Sequence, residues 1–262
     1  MDILQKIAIH KFKEIKLRKE QVSVKQLEQS HFFNTETLSL RKHILDKTNA
    51  GVIAEFKRKS PSKPAINLSA NVINITIGYE KSGASALSIL TDGTFFGGSL
   101  SDLQQAREKV NIPILRKDFI IDEYQIIEAK SIGASAILLI SEILSEEKIK
   151  GFTELAHSIN LEVLLELHDE SMLHKTHHSI DLLGINNRNL KTFEVSINTS
   201  IEIASQIGND FTLISESGIK SIDDILQLKS AGFEGFLIGE LFMKQSNPIE
   251  LCALLCKQIL IN

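Results

Sequence analysis

Tryptophan is absent from this chain of 262 residues, and tyrosine occurs only twice. So thin an aromatic inventory argues against a platform on which the bases of a single nucleic-acid strand would stack. No excess of one charge is present either. The formal net charge of -4 gives no support for binding nucleic acid or a membrane surface. Long apolar runs are missing. Runs such as Ala136 to Ile140 are far too short to span a bilayer. The charged, amphipathic start MDILQKIAIHKFKEIKLRKE lacks the continuous apolar stretch of a secretory leader. Cysteine is almost absent. Cys252 and Cys256 stand four apart in a helical pattern, on one face, and read as small core residues of a reduced, cytoplasmic protein.

What is there is ordinary globular material, 43% hydrophobic and 24% charged. The length suits one α/β barrel. From Ala50 onward, short β-rich runs alternate with helical patterns. The β runs are Val52 to Phe56, Ser85 to Leu90, Ile112 to Leu115, Ser135 to Ile140, Leu161 to Leu167, Ile180 to Ile185, Phe211 to Ile214 and Gly235 to Ile238. They are nearly continuous in Val, Ile and Leu, as parallel strands covered on both faces are. Helical segments between them include Ser101 to Lys109, Glu123 to Ser131, Glu146 to Ile159, Ile197 to Ile207 and Ile222 to Ser230. A corner also repeats. Lys81-Ser82-Gly83-Ala84, Lys130-Ser131-Ile132-Gly133 and Lys229-Ser230-Ala231-Gly232 each read as a helix ending on glycine before a strand.

Eight such units predict a (β/α)8 TIM barrel filling one domain, residues 1–262, with residues 1–48 as an N-terminal helical extension. The alternative, an open doubly wound sheet, is disfavoured because no G-x-G-x-x-G follows the first strand. Within the extension, Ile3 to about Glu20 predicts a helix with Ile3, Leu4, Ile7 and Phe12 on one side. Its Lys6, Lys11, Lys13, Lys16, Arg18 and Lys19 read as a solvated face. Val22 to Thr48 is less regular, with a short helix expected near Leu40 to Leu45.

A barrel of this kind carries its chemistry at the C-terminal ends of its strands. Side-chain alternation aims Glu55 and Lys57 with Ile53, Lys117 with Leu115, Glu166 with Leu164, Asn186 with Gly184, and Glu216 with Ile214. One such ion pair would read as structural. Charged or amide groups at five strand ends on inward parity predict a functional pocket instead. The second strand runs into Thr91, Asp92 and Phe95-Phe96-Gly97-Gly98. The seventh and eighth run into Ser217-Gly218 and Gly239-Glu240, two small-residue turns of the sort that cradle phosphate in this fold. Taken singly, each glycine is an ordinary turn residue. His168, His174, His177 and His178 cluster beside Asp169, Glu170 and Lys175. They read as part of a polar surface helix, without the ligand spacing of a zinc site.

The stretches AEFKRKSPS (54–62), LTDGTFFGGS (90–99), ILRKDFIID (114–122), EVLLELHDE (162–170), GINNRNL (184–190), ISESGI (214–219) and FLIGELFM (236–243) resemble the indole-3-glycerol-phosphate synthase family of tryptophan biosynthesis. They keep that family's order, and ILQKIAIHKFKEI resembles its leading helix. The segment from His31 to Ile44 departs from the resemblance. The resemblance implies a carboxy-lyase that closes the ring of 1-(o-carboxyphenylamino)-1-deoxyribulose 5-phosphate, releasing carbon dioxide and water and giving indole-3-glycerol phosphate. It implies Lys117 as general acid and Glu166 as general base, with Glu55, Lys57, Asn186 and Glu216 as further catalytic groups. It places Ser60, Arg188, Ser217, Gly218, Gly239 and Glu240 at the phosphate and carboxylate ends, and Phe96, Phe119 and Leu190 around the aromatic ring. No cofactor or metal is expected. The expected partner is a small phosphorylated substrate, with no nucleic acid or membrane, for a protein acting as a monomer. A phosphosugar isomerase or a non-catalytic phosphate-binding barrel would share the fold. The Phe95-Phe96 pair and the two separated lysines, Lys57 and Lys117, favour a substrate with an aromatic ring and an anionic group.

Overall fold

The computed structural model describes residues 3–189, 192, 194–208 and 210–262. Eight strands run β1 (Val52–Phe56), β2 (Ala86–Leu90), β3 (Ile114–Lys117), β4 (Ala136–Ile140), β5 (Glu162–Leu167), β6 (Leu182–Asn186), β7 (Thr212–Glu216) and β8 (Phe233–Ile238). Each pairs in parallel with the next, and β8 returns to β1, so the sheet closes into the expected TIM barrel. Alternation sorts the side chains into two layers. Ile53, Ala86, Leu115, Leu164, Leu182 and Ile214 fill the interior. Val52, Leu87, Ile114, Ile137, Val163 and Leu183 face the surrounding helices. The third strand begins at Ile114 rather than Ile112, because Pro113 has no N–H to give the ladder and contributes only its carbonyl, to Leu87.

Three helices precede the barrel: α1 (Ile3–Gln21), α2 (Val24–Glu28) and α3 (Leu40–Leu45). The rest are α4 (Val72–Lys81), α5 (Gly93–Phe96), α6 (Leu100–Arg107), α7 (Glu123–Ser131), α8 (Glu146–Ser158), α9 (Asn198–Ala204), α10 (Ile222–Ser230), α11 (Glu240–Met243) and α12 (Pro248–Ile261), with a short 3-10 helix over Glu170–Lys175. The repeated corner holds: Gly83, Gly133 and Gly232 all take the left-handed conformation that ends a helix. Cys252 and Cys256 are buried free thiols on α12.

The extension covers both ends of the barrel. Ser39, capping α3, and the Arg41 N–H bond Glu162 at the start of β5, while Arg41 Nε donates to Thr212 at the start of β7. Leu40 and Ile44 thus plug the N-terminal end. The first helix lies across the other end with Ile3, Leu4 and Ile7 against the interior cluster. Two expectations for it are corrected. Phe12 is 68% exposed, and Lys11 is wholly buried. Helical geometry explains both: Lys11 lies four residues from Ile7 and from Ile15, on the buried stripe, and Phe12 is one step round from it. The Lys11 ammonium is not solvated but sits 3.0 Å from Asp92, 2.9 Å from Asp118 and 2.9 Å from Glu14.

Candidate active site

At the C-terminal end of the barrel, beneath α1, lies a cavity of about 310 Å³. That is enough for a small phosphorylated metabolite. Inward parity carries the strand-end residues into it. Glu55 and Lys57 of the first strand line it, with Lys57 Nζ donating to Glu55 Oε1 at 2.5 Å. Asn186 and Arg188 line it from β6, and the Arg188 N–H donates to Asn186 Oδ1 at 3.0 Å. Glu55 and Glu216 need room that their neighbours supply. A Cβ on Gly239 would collide with the Glu55 carboxyl, and one on Gly184 with that of Glu216.

The floor is built around Lys117. Its ammonium donates to Glu166 Oε2 at 2.6 Å and pairs with Glu216 Oε2 at 3.0 Å. Burial pulls this lysine's pKa down, but Glu166, Glu216 and Glu55 together hold it above its ordinary value. The two carboxylates part company. Burial would raise Glu166, yet Lys117 and His168 draw it down to about 2. Burial raises Glu216 to about 8; Lys117 opposes that rise, and Glu166 adds to it. At neutral pH the floor therefore holds a charged lysine, one ionised carboxylate and one proton on a carboxyl.

Around this floor the cavity divides into an apolar side and a cationic side. Phe96 and Phe119 line it with ring centroids 5.8 Å apart and planes inclined at 36°. Asp92 accepts from the Phe95 and Phe96 N–H groups and so fixes α5 beside them. Opposite, Ser60, Ser217, Gly218, Gly239 and Glu240 line the wall, together with Lys220 and Lys244. Ser217 and Gly218 are both left-handed, which bends that turn sharply. The Glu240 carboxylate is taken up by Lys63 and lies 3.5 Å from Arg188. Leu190 lies outside the described residues. Among those residues, no group of three His, Cys, Asp or Glu is disposed to hold a metal ion.

Lys220 and Lys244 of the wall, and His168 and Glu142 beside the floor, escaped the sequence reading. His168 is not on a surface helix: it ends β5, its side chain is 8% exposed, and it lines the cavity. Glu142, after β4, binds it. The signal was available, because His168 stands two residues beyond Glu166 as Lys57 stands two beyond Glu55 and Arg188 two beyond Asn186.

A model of the indole-3-glycerol phosphate synthase family matches residues 4–253. The chain belongs to that family. It is thereby an enzyme of tryptophan biosynthesis, a decarboxylating lyase. The family match runs through residues 31–44, the stretch where the resemblance departs. The indole-3-glycerol phosphate synthase of Bacteroides thetaiotaomicron is 48% identical over 249 residues, covering 95% of each chain. That of Neisseria meningitidis serogroup C is 42% identical, covering 94% of this chain and 96% of its own. Among solved structures, thiamine phosphate pyrophosphorylase from Pyrococcus furiosus superposes with a TM-score of 0.61 over 85% of this chain and 98% of its own. At 14% identity that likeness concerns the barrel alone. No helix among the described residues is long and apolar enough to cross a membrane.

Proposed function

We propose that this cavity is where the family's reaction takes place in this chain: 1-(o-carboxyphenylamino)-1-deoxyribulose 5-phosphate is closed to indole-3-glycerol phosphate, with loss of carbon dioxide and water. The observation that carries the assignment is Lys117, charged and held between Glu166 and Glu216 on the floor, with Phe96 and Phe119 beside it. The aryl carbon bearing the carboxylate bonds to the ketone carbon of the sugar chain. Lys117 gives a proton to the ketone oxygen, which becomes a hydroxyl. Carbon dioxide then leaves, and the electrons of the broken C–C bond return to the ring and discharge its iminium. The hydroxyl departs as water on taking a proton from Lys57, which Glu55 holds in place. Glu166 accepts the proton released as the five-membered ring becomes aromatic.

The remaining residues hold the substrate at its two ends. Phe96 and Phe119 pack the aromatic ring. The Ser217-Gly218 and Gly239-Glu240 turns, with Ser60 and Arg188, take the phosphate, and the Glu240 side chain holds Lys63 and Arg188 in place for it. Asn186 positions the loop that carries Arg188. In this reading residues 1–262 are one barrel domain, with residues 1–48 as the extension that closes it at both ends. It acts as a monomer in the cytoplasm on a small phosphorylated substrate, and two buried free thiols suit a reduced compartment.

The test is to supply the carboxyphenylamino substrate to the purified protein and follow indole fluorescence. Turnover is expected, and Glu166→Gln should abolish it while still binding a product analogue. Absence of indole product, or Glu166→Gln turnover within about tenfold of wild type, where general catalysis is worth about 10²–10⁴-fold, would count against the assignment.

A further inference from the structure

His168 has two neighbours of the same charge. Its Nδ1 lies 3.0 Å from Glu142 Oε2, and its backbone N–H donates to Glu142 Oε1 at 2.9 Å, so one carboxylate grips both ring and main chain. The Ser141 hydroxyl steadies that carboxylate from the other side at 2.9 Å. On the far side of the ring, Nε2 stands 3.2 Å from Glu166 Oε1. The other oxygen of Glu166 is the one that takes the Lys117 ammonium. Glu166 thus meets lysine at one oxygen and faces imidazole at the other, whereas Glu216 meets the lysine and Glu166 itself.

We propose that His168 is a positioning residue for the reaction: pinned by Glu142, it holds Glu166 against Lys117 as the ionised carboxylate and leaves the carboxyl proton of the pair on Glu216. The argument is electrostatic. Two carboxylates sharing one ammonium in a buried floor retain a proton between them. Lys117, 2.6 Å from Glu166 and 3.0 Å from Glu216, separates the two carboxyls only a little. An imidazolium touching Glu166 alone decides which of them keeps the proton. The three carboxylates facing the ring favour its charged form, and Lys117, on the same Glu166 carboxylate, opposes it. Glu142 faces it from the loop after β4, Glu166 from β5 and Glu216 from across the barrel, and together they raise the histidine's pKa against the effect of burial. Lys175 spends its ammonium on the Ser141 and Leu144 carbonyls. Asp169 caps the Ser171 N–H of the 3-10 helix.

The inference rests on Glu166 as base, and the test separates the two claims. In His168→Asn, Glu166 loses its second cation and protonates more readily. The acid limb of the kcat profile should therefore move to higher pH by about one unit or more, with KM near the wild-type value. Glu142→Gln, which keeps the size but not the charge, should move the same limb in the same direction by less, and it serves if His168→Asn does not fold. A loss of kcat that is uniform across pH, with the limb unmoved, would overturn the inference and leave His168 a structural prop. Should Glu166→Gln retain turnover, the base assignment falls and takes the inference with it. Should Glu166→Gln be inactive while the limb stays put, only the inference falls.

Discussion

Arg116, Lys117 and Asp118 follow one another at the rim of β3, yet they serve two different ionic clusters. Arg116 and Asp118 face the first helix. Arg116 Nη2 lies 3.2 Å from Asp118 and 2.7 Å from Glu128, and Thr91 donates to Asp118 at 2.5 Å. Lys11 comes down from α1 between Asp118 and Asp92. Lys117 faces the cavity and meets Glu166 and Glu216. Both clusters bury charge, and burial alone disfavours each of them. They differ in how their acids are supplied with cations. Asp118 would be raised by burial, but Lys11 and Arg116 drive it well below the carboxylate range. Lys11 would be lowered by burial, but Asp118 and Asp92 hold it up. In the cavity, burial pushes Glu216 up to about 8, and a second carboxylate on the same lysine adds to the rise. In the outer cluster Asp118 meets two cations, which makes it a clamp; in the inner one two carboxylates meet on one lysine, which makes it a place where protons can be exchanged.

The largest test of this contrast is Lys117→Met. It keeps an apolar stem of similar length and removes the donor, so kcat should fall by about 10²–10⁴, with KM little changed. Activity within tenfold of wild type would move the acid role elsewhere, with Lys57 the next candidate. Lys11→Met should do the opposite. It removes the cation that two buried aspartates share, and breaking such a buried pair costs about 3–5 kcal/mol of folding stability, read as a lower urea midpoint. Because Ile3, Leu4 and Ile7 line the cavity from the same helix, KM should rise as well. A collapse of kcat at unchanged stability would mean that the two clusters work as one.

The smallest effect concerns Glu216. Its folded pKa near 8 lies above the ordinary 4.5, so the fold favours the protonated carboxyl. The stability this gives is complete below about pH 4.5 and is lost as pH rises through 8. Glu216→Gln cannot lose a proton. Its melting temperature should exceed wild type at pH 9, by about 2–4 °C per kcal/mol relieved, and the two should converge near pH 5. Parallel melting curves across that range would show that no buried proton is present there.

The barrel and most of the strand-end residues that line its cavity were legible from period and parity alone. Strands of nearly unbroken Val, Ile and Leu announced two covered faces, and alternation aimed Glu55, Lys57, Lys117, Glu166, Asn186 and Glu216 correctly. What failed was the reading of charge beside charge. Lys11 stands in a run of lysines that looks solvated, and only the position of Asp92 and Asp118, some hundred residues away, reveals where it points. His168 was assigned to the polar stretch that follows it rather than to the strand that precedes it. That Lys117 is shared by Glu166 and Glu216 depends on the closure of the barrel, which places strands three, five and seven around one point. No local pattern carries that information.

Gly184 and Gly239 bear on any attempt to redesign this barrel. A procedure that fills strand positions by propensity would choose valine or isoleucine at 184, since β-branched residues suit a pleated, half-buried surface. The backbone there would accept them and the barrel would still close. The Glu216 carboxyl, however, occupies the space a methyl group would need, and the Glu55 carboxyl does the same over Gly239. A better strand by every local criterion would therefore turn out a well-folded protein whose acids have been evicted from their stations.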